Sequence, residues 1–274
     1  MNFVKIKFSE NFIKQTFCYL YRLILRHIKE IHLQNTNRNK KMEMDSELKN
    51  SILKSGTTIL GIVCKDGVIM AADRRSTAGN LVLNKNVQKT VQVNNYLVMS
   101  GTGNASDIEM QKKIISAQLR LKELHSKSRP TVKQAANLIG AVTYQNIRQP
   151  AMIPSIVGTL VAGFNEDGTS ELYTIEPAGT AMKVEDYDAN FGSGMPFVLG
   201  LLERQYHREL SVKEGVELAL EAIKSSTQRD TGSGNGIDVF TITKEGINHV
   251  IEQEISPNYQ SKKASPRSGS FKEK

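Results

Sequence analysis

The chain has 274 residues, enough for one large domain with an ample hydrophobic core. It carries 36 Lys and Arg against 28 Asp and Glu, a formal charge of +8, but the excess lies at the ends: residues 1–56 carry +6, residues 256–274 carry +4 and residues 57–255 carry −2. The body therefore lacks the basic surface that a nucleic-acid partner requires, and the charged ends are typical of solvated tails.

Strand and helix patterns begin near residue 55 and follow the order strands, helices, strands, helices, strands. β-Branched runs between turn residues predict strands at 57–64, 68–72, 81–83, 87–93, 96–99, 156–164, 171–175, 237–243 and 247–251. Apolar residues at helical spacing predict helices over about 104–124, 131–147, 196–207 and 212–228. The last helix has a capping box of Ser211 and Glu214. Separate runs of strands and helices favour an α+β fold with two antiparallel sheets faced by helix pairs.

The composition divides the chain into three segments. Residues 1–56 form an irregular basic leader, residues 57–255 a single domain without internal repeats, and residues 256–274, rich in Ser, Lys and Pro, a tail expected to be disordered. Met42 and Met44 are alternative translation starts to Met1, and each would give a shorter leader ending at Gly56.

Cysteine content and hydropathy predict a cytoplasmic protein. Cys18 and Cys64 are too few for a disulfide framework, so a reducing compartment fits. The longest apolar stretch, residues 12–25, contains Lys14 and Arg22 and is too short to cross a bilayer. It also lacks a small-residue cleavage site, so we expect neither a secretory signal nor a membrane partner.

Thr57 follows Gly56 and opens the first predicted strand. A threonine hydroxyl is a weak nucleophile because it holds its proton tightly, but a free amine on the same residue, with a pKa near ~8, can act as its base. That amine exists only if the Gly56–Thr57 bond is cut, and glycine there would let the backbone bend until the hydroxyl of Thr57 attacks the bond. By itself, Gly-Thr-Thr is far more typical of an ordinary strand start.

Asp73 and Lys89 follow Thr57 by 16 and 32 residues. Two return strands would place both beside the first residue of the first strand. A lysine ammonium there would stabilise a deprotonated hydroxyl and lower the pKa of a nearby amine, and Asp73 would keep the lysine charged. Taken singly, either residue is more typical of a surface charge.

Three glycine-containing segments could complete such a site. Residues 100–103, Ser-Gly-Thr-Gly, lead into the first helix, where backbone N–H groups and the helix dipole could form an oxyanion hole; the alternative is a tight turn. The glycine-rich loop 229–238 contains Asp230 and Ser233, which could hydrogen-bond an N-terminal ammonium. Residues 192–194, Gly-Ser-Gly, offer a further hydroxyl before another helix.

Together these segments resemble proteasome β subunits of the archaeal kind. The matching motifs keep the family's order and spacing over residues 56–243: Gly56-Thr57-Thr58, Gly67 to Arg75, Lys85-Asn86 with Lys89, Gly101 to Gly103 with Asp107, Gly192-Ser193-Gly194 with Pro196-Phe197, and Arg229-Asp230 through Asp238. The resemblance implies the four-layer αββα sandwich of N-terminal-nucleophile hydrolases. It also implies the catalytic β subunit of a 20S proteasome, an ATP-independent threonine endopeptidase that is activated by its own cleavage at Gly56–Thr57.

The resemblance assigns roles by position. Thr57 matches the nucleophile, and Asp73 and Lys89 match its supporting pair. Gly103 matches the residue whose amide forms the oxyanion hole. The three residues that hold the N-terminal amine are matched by Ser193, Asp230 and Ser233. The pocket beside the nucleophile is lined at Ser76, Val87, Lys89, Gly101, Ala105 and Glu109. Gly101 would leave that pocket wide and deep, and Glu109 at its far wall would favour Lys or Arg before the cut bond. The alternative for Glu109 is an exposed acid in the first turns of a helix.

Partners also follow from the resemblance: proteasome α subunits, other β subunits in stacked seven-membered rings, and unfolded polypeptides delivered by an ATPase ring. We expect no metal and no cofactor, because none of the five histidines lies at ligand spacing from a cysteine or another histidine. Three alternatives stay open: a β subunit without activity, the related bacterial peptidase that pairs with an ATPase ring, and a nucleic-acid role for the basic ends.

Overall fold

The computed structural model describes residues 56–151 and 154–254. The predictions made for the leader before Gly56 and for the tail after residue 255 concern residues outside these ranges. Among the described helices, none combines the length and the apolar composition that a bilayer span requires.

The strands of the described ranges form two five-stranded antiparallel sheets and one short hairpin. Their bounds are β1 Ile59–Cys64, β2 Gly67–Asp73, β3 Ser76–Ala78, β4 Leu81–Asn84, β5 Thr90–Asn94, β6 Leu97–Gly103, β7 Val157–Phe164, β8 Ser170–Ile175, β9 Ala181–Val184, β10 Tyr187–Asp188, β11 Gly236–Thr243 and β12 Gly246–Glu254. The first sheet has the order β10-β1-β2-β11-β12 and the second β5-β6-β7-β8-β9, while β3 pairs with β4.

Helices cover the outer faces of the sheets. Within the described ranges they are α1 Ala105–Ser126, α2 Val132–Arg148, α3 Met195–Gln205 and α4 Val212–Arg229. The side chains of Asn104, Thr131 and Ser211 accept hydrogen bonds from backbone N–H groups of the first turns of α1, α2 and α4, which fixes where these helices begin. The predicted capping box of Ser211 and Glu214 is confirmed.

Alternation along the strands builds three apolar layers. In β2, Met70 packs between the two sheets and Ile69 packs against α3 and α4. In β6, Val98 lies between the sheets and Met99 packs against α1 and α2. Because successive strand residues point to opposite faces, each sheet needs cover on both sides, and burial of each such side chain contributes roughly 1.5–3 kcal/mol. The predicted α+β fold and its four-layer αββα arrangement are confirmed.

The sequence patterns did not predict three of the short strands. β3, β9 and β10 have two to four residues each, too few for alternation to be recognised. The predicted strand over 87–93 is wrong at its start, because β5 begins only at Thr90. Val87 lies instead in an irregular segment whose backbone N–H donates to the carbonyl of Arg74 at 2.9 Å. This contact holds the segment against the end of β2 and brings Lys89 near Asp73.

Candidate active site

Thr57 lies two residues before β1, beside the end of β2. The two strands pair antiparallel, with Ile59 opposite Ala72, so the hairpin returns the chain to its own start. The Asp73 amide donates to the Thr58 carbonyl at 3.1 Å, and the Thr58 amide donates to Asp73 Oδ1 at 2.7 Å. The proximity of Thr57 and Asp73 expected from the hairpin is present.

Lys89 lies between the two. Its Nζ donates to Thr57 Oγ1 at 3.1 Å and to Asp73 Oδ1 at 2.7 Å. The three side chains are at most 9% exposed. Burial lowers the pKa of the Lys89 ammonium below its usual value, and the Asp73 carboxylate opposes this shift by raising it. The pair therefore places a carboxylate-supported cation at the threonine hydroxyl.

Four hydrogen bonds fix the Asp73 carboxylate. Oδ1 accepts from the Thr58 amide and from Lys89, and Oδ2 accepts from the amides of Arg75 at 2.9 Å and Gly234 at 3.1 Å. A fully buried carboxylate is expensive unless it is paired and hydrogen-bonded, and both conditions are met here. The orientation of Lys89 is thereby tied to the backbone at Thr58, Arg75 and Gly234.

The peptide bond between Gly56 and Thr57 is intact in this structure. Thr57 Oγ1 donates to the Gly56 carbonyl oxygen at 2.6 Å, and Lys89 Nζ lies 3.4 Å from the same oxygen. The Thr57 amide donates to Ser193 Oγ at 3.0 Å. A hydroxyl and a lysine ammonium thus both face the carbonyl that precedes Thr57.

Ser193, Asp230 and Ser233 form a hydrogen-bonded chain beside the Thr57 nitrogen. The hydroxyls of Ser193 and Ser233 donate to Asp230 Oδ2 at 2.6 and 2.5 Å. Asp230 is linked to the Thr57 nitrogen through Ser193, and Ser233 Oγ lies 2.6 Å from Thr58 Oγ1. The structure brings the three predicted residues together, but in the uncleaved chain the contact of Asp230 with that nitrogen is indirect.

Gly103 ends β6, directly before α1. Its φ of +114° lies in the region that favours glycine. It lines the same cavity as Thr57 and Lys89. Its position agrees with that of an oxyanion-hole amide, and this role stays a prediction.

A cavity of about 120 Å³ opens beside Thr57, and all the predicted pocket positions line it: Ser76, Val87, Lys89, Gly101, Ala105 and Glu109. Ile108 and Lys112, which the sequence analysis missed, also line it. A Cβ on Gly101 would come within 2.8 Å of Ile108 Cγ2, so Ile108 packs closely against this glycine. Residues 105, 108, 109 and 112 share one helical face, a signal that could have identified both additional residues.

Side chains of opposite charge lie on the α1 side of this cavity. Glu109 is 59% exposed and its carboxylate lies 3.5 Å from Lys113 Nζ. Lys112 reaches the cavity as well; burial lowers the pKa of its ammonium, and Glu109 raises it. The helix therefore presents an acid and a base to the cavity rather than an acid alone.

Arg75 holds the glycine-rich loop, a role that the sequence analysis did not assign. Its Nε donates to Asn235 Oδ1 and its Nη1 to the Thr231 carbonyl, both at 2.8 Å. Its own amide donates to Asp73. The side chain therefore ties the loop that carries Asp230 to the end of β2, and its place directly after a buried strand was the available signal.

Comparison with known proteins places this geometry in a family. The family model described as proteasome subunit matches residues 53–242. The chain belongs to the proteasome subunit family. Its relatives include proteasome subunit beta 2 of Pyrococcus abyssi, 39% identical over 73% of this chain and 93% of the relative, and proteasome subunit beta of Nanoarchaeum equitans, 37% identical over 71% and 97%. Proteasome subunit beta of Methanopyrus kandleri is 37% identical over 74% of this chain and 95% of its own length.

The resemblance to archaeal proteasome β subunits is thus confirmed. In this proteasome subunit, the matched segment begins four residues before Thr57 and ends within β11. It includes every residue for which a catalytic role was predicted.

Proposed function

We propose that this proteasome subunit is the catalytic β subunit of a 20S core, a threonine endopeptidase of the cytoplasm. It assembles with α subunits and further β subunits into stacked seven-membered rings and hydrolyses unfolded polypeptides delivered by an ATPase ring. The observation that carries the proposal is the contact of Lys89 Nζ with both Thr57 Oγ1 and Asp73 Oδ1, at 3.1 and 2.7 Å. The relatives named proteasome subunit beta support the same assignment.

Self-cleavage comes first. Thr57 Oγ1 attacks the Gly56 carbonyl carbon, and the Lys89 ammonium stabilises the oxyanion that forms. The Oγ1–carbon bond forms, the carbon–nitrogen bond breaks, and the hydroxyl proton ends on the departing Thr57 nitrogen. Water then hydrolyses the ester, which releases the leader with a Gly56 carboxylate and leaves Thr57 with a free amine. The 2.6 Å contact between Thr57 Oγ1 and the Gly56 oxygen supports this step.

Peptide hydrolysis then uses the new amine. The amine takes the proton of Thr57 Oγ1 as the hydroxyl attacks a substrate carbonyl, and it returns the proton to the leaving nitrogen. A charged Lys89 would lower the pKa of this amine by like-charge repulsion, which favours the unprotonated form that acts as the base. Ser193, which already accepts from the Thr57 nitrogen at 3.0 Å and is bonded to Asp230, orients it.

The first residue of the assembled protein tests the proposal. After co-expression with α subunits, N-terminal sequencing and intact mass are expected to show chains that begin at Thr57. The same subunit expressed alone is the control for cleavage by host proteases. Assembled rings in which Gly56 is still attached to Thr57 would instead indicate a β subunit without activity, because the amine base would not exist.

For the specificity pocket, we propose a preference for Lys and Arg before the cut bond, supported by Glu109 at the cavity wall. Since Lys112 lines the same cavity, the two side chains are expected to act in opposite directions on the ratio of kcat/KM for Arg substrates to that for Leu substrates. Glu109→Gln should lower this ratio by about fivefold and Lys112→Met should raise it by a similar factor, the magnitude of one partly solvated charge pair.

Glu123→Gln supplies the matched control, because Glu123 is an acid of the same helix, paired with Arg120 and absent from the cavity lining. Its ratio should equal that of the unsubstituted chain. Equal cleavage of Arg and Leu substrates by the unsubstituted protein would contradict the preference.

A further inference from the structure

Gly56 is held on three sides. Its amide donates to Thr77 Oγ1 at 2.8 Å, and Thr77, in β3, is only 7% exposed. Its carbonyl oxygen contacts Thr57 Oγ1 and Lys89 Nζ. The residue that precedes the bond to be cut therefore has defined partners for both of its backbone polar groups.

The third side is another glycine. A Cβ built on Gly56 would overlap Gly232 Cα, and a Cβ built on Gly232 would overlap Gly56 Cα. Gly232 has no φ in the left-handed region, so its backbone angles would permit a side chain. The close approach of the two glycines is what requires the absence of a Cβ on both.

We infer that Thr77 and Gly232 are positioning residues that form a seat for Gly56, and that the contact with Gly232 serves cleavage of the chain's own leader alone. The inference rests on the proposed self-cleavage. A peptide substrate with a side chain before its cut bond cannot occupy the seat, because its Cβ would overlap Gly232. Its side chain must point away from Gly232, into the cavity lined by Thr77, Val87 and Gly101. The backbone of the residue before the cut bond therefore lies in different places in the leader and in a peptide substrate.

The seat loses its occupant when the leader is released. Of the three atoms nearest to a methyl group built on Gly232, two belong to Gly56 and the third is Ser193 Oγ at 3.1 Å, a distance that a shift of a few tenths of an ångström relieves. Before release, the same methyl would have to displace Gly56 from the hydroxyl of Thr57. Gly232→Ala should consequently impair self-cleavage far more than peptide hydrolysis by chains that have already been cut.

The experiment follows both reactions in the full chain assembled with α subunits. Intact mass measured over time gives the rate at which residues 1–56 are lost, and a fluorogenic peptide with Leu before the cut bond gives kcat/KM per processed chain. Gly232→Ala is expected to slow self-cleavage about 10- to 100-fold, the effect of overpacking a tight contact, and to lower kcat/KM per processed chain by no more than about fivefold, through the small shift of Ser193.

Thr77 is tested by hydroxyl removal and rescue. Thr77→Val should slow self-cleavage about five- to tenfold, the effect of one lost hydrogen bond, and Thr77→Ser should restore it. Thr241→Val is the matched control, because Thr241 is a strand threonine of similar burial, 6% exposed, on β11. Its self-cleavage rate should not change.

The outcomes separate this inference from the proposed function. If the unsubstituted chain is never cut at Gly56–Thr57, the proposed function fails and the inference fails with it. If that chain is cut normally but Gly232→Ala slows neither reaction, or slows both equally, the seat is overturned while the proposed function stands. Failure of Thr77→Ser to rescue self-cleavage would remove Thr77 from the seat.

Discussion

A Thr57→Ala chain assembled with α subunits is expected to keep its leader and to show no peptide hydrolysis above background. The substitution removes the oxygen that lies 2.6 Å from the Gly56 oxygen and 3.1 Å from Lys89 Nζ, so neither the ester nor the later acyl intermediate can form. Loss of a nucleophile typically costs a factor of about a thousand or more. Intact mass measures the first effect and a fluorogenic peptide the second.

Thr57→Ser is the matched variant, since it keeps the hydroxyl and, once cut, would have an amine on the same residue. It should lose its leader and hydrolyse peptide, which shows that the alanine chain fails for lack of the hydroxyl and not for lack of assembly. Cleavage between residues 56 and 57 in the alanine chain would mean that another protease cuts the bond, and self-cleavage would have to be abandoned.

An Asp73→Asn chain is expected to cut itself about 100- to 1,000-fold more slowly and to lose activity at lower pH than the unsubstituted chain. Asp73 raises the pKa of Lys89 against the lowering caused by burial, so neutralising it lets that pKa fall further. Lys89 then gives up its proton at a lower pH, and the charge that stabilises the oxyanion is lost earlier as the pH rises. The alkaline limb of the self-cleavage profile should therefore move to lower pH.

Asp238→Asn is the matched control for the loss of a buried, ion-paired carboxylate. Asp238 is also fully buried, and Oδ1 accepts from Arg74 at 2.6 Å, but it lies on β11 and makes none of the contacts to Lys89. This variant should lower stability without moving the alkaline limb. An unchanged limb in the Asp73 variant would show that Asp73 does not govern the charge of Lys89.

The uncleaved chain already places the groups that the mature site would need. The Thr57 nitrogen has a partner in Ser193, which is bonded to Asp230, and Lys89 is held by Asp73. Ser193 would therefore be a ready acceptor for one N–H of the amine that cleavage creates.

The part of the site that depends on residues close together in the sequence was predictable. Turn residues 65–67 and the β-branched runs around them predict the hairpin, and the hairpin alone brings Thr57 beside Asp73. Lys89 was expected beside Thr57, and it lies there, but not on the strand predicted over 87–93, which begins only at Thr90. An irregular segment, hydrogen-bonded to the Arg74 carbonyl, carries Lys89 to this position. Such a segment has no periodicity to recognise.

By itself the sequence determined the order of the longer elements, the capping box that begins α4 and, through motifs, the family and the candidate residues of the site. Tertiary structure alone decided the contacts between segments distant in the chain, such as Ser193 with a nitrogen 136 residues earlier and Gly232 with Gly56. It also added Ile108 and Lys112 to the pocket. The physical reason is that periodicity and turn chemistry record local backbone preference, whereas these distances are set by how two sheets and their helices pack.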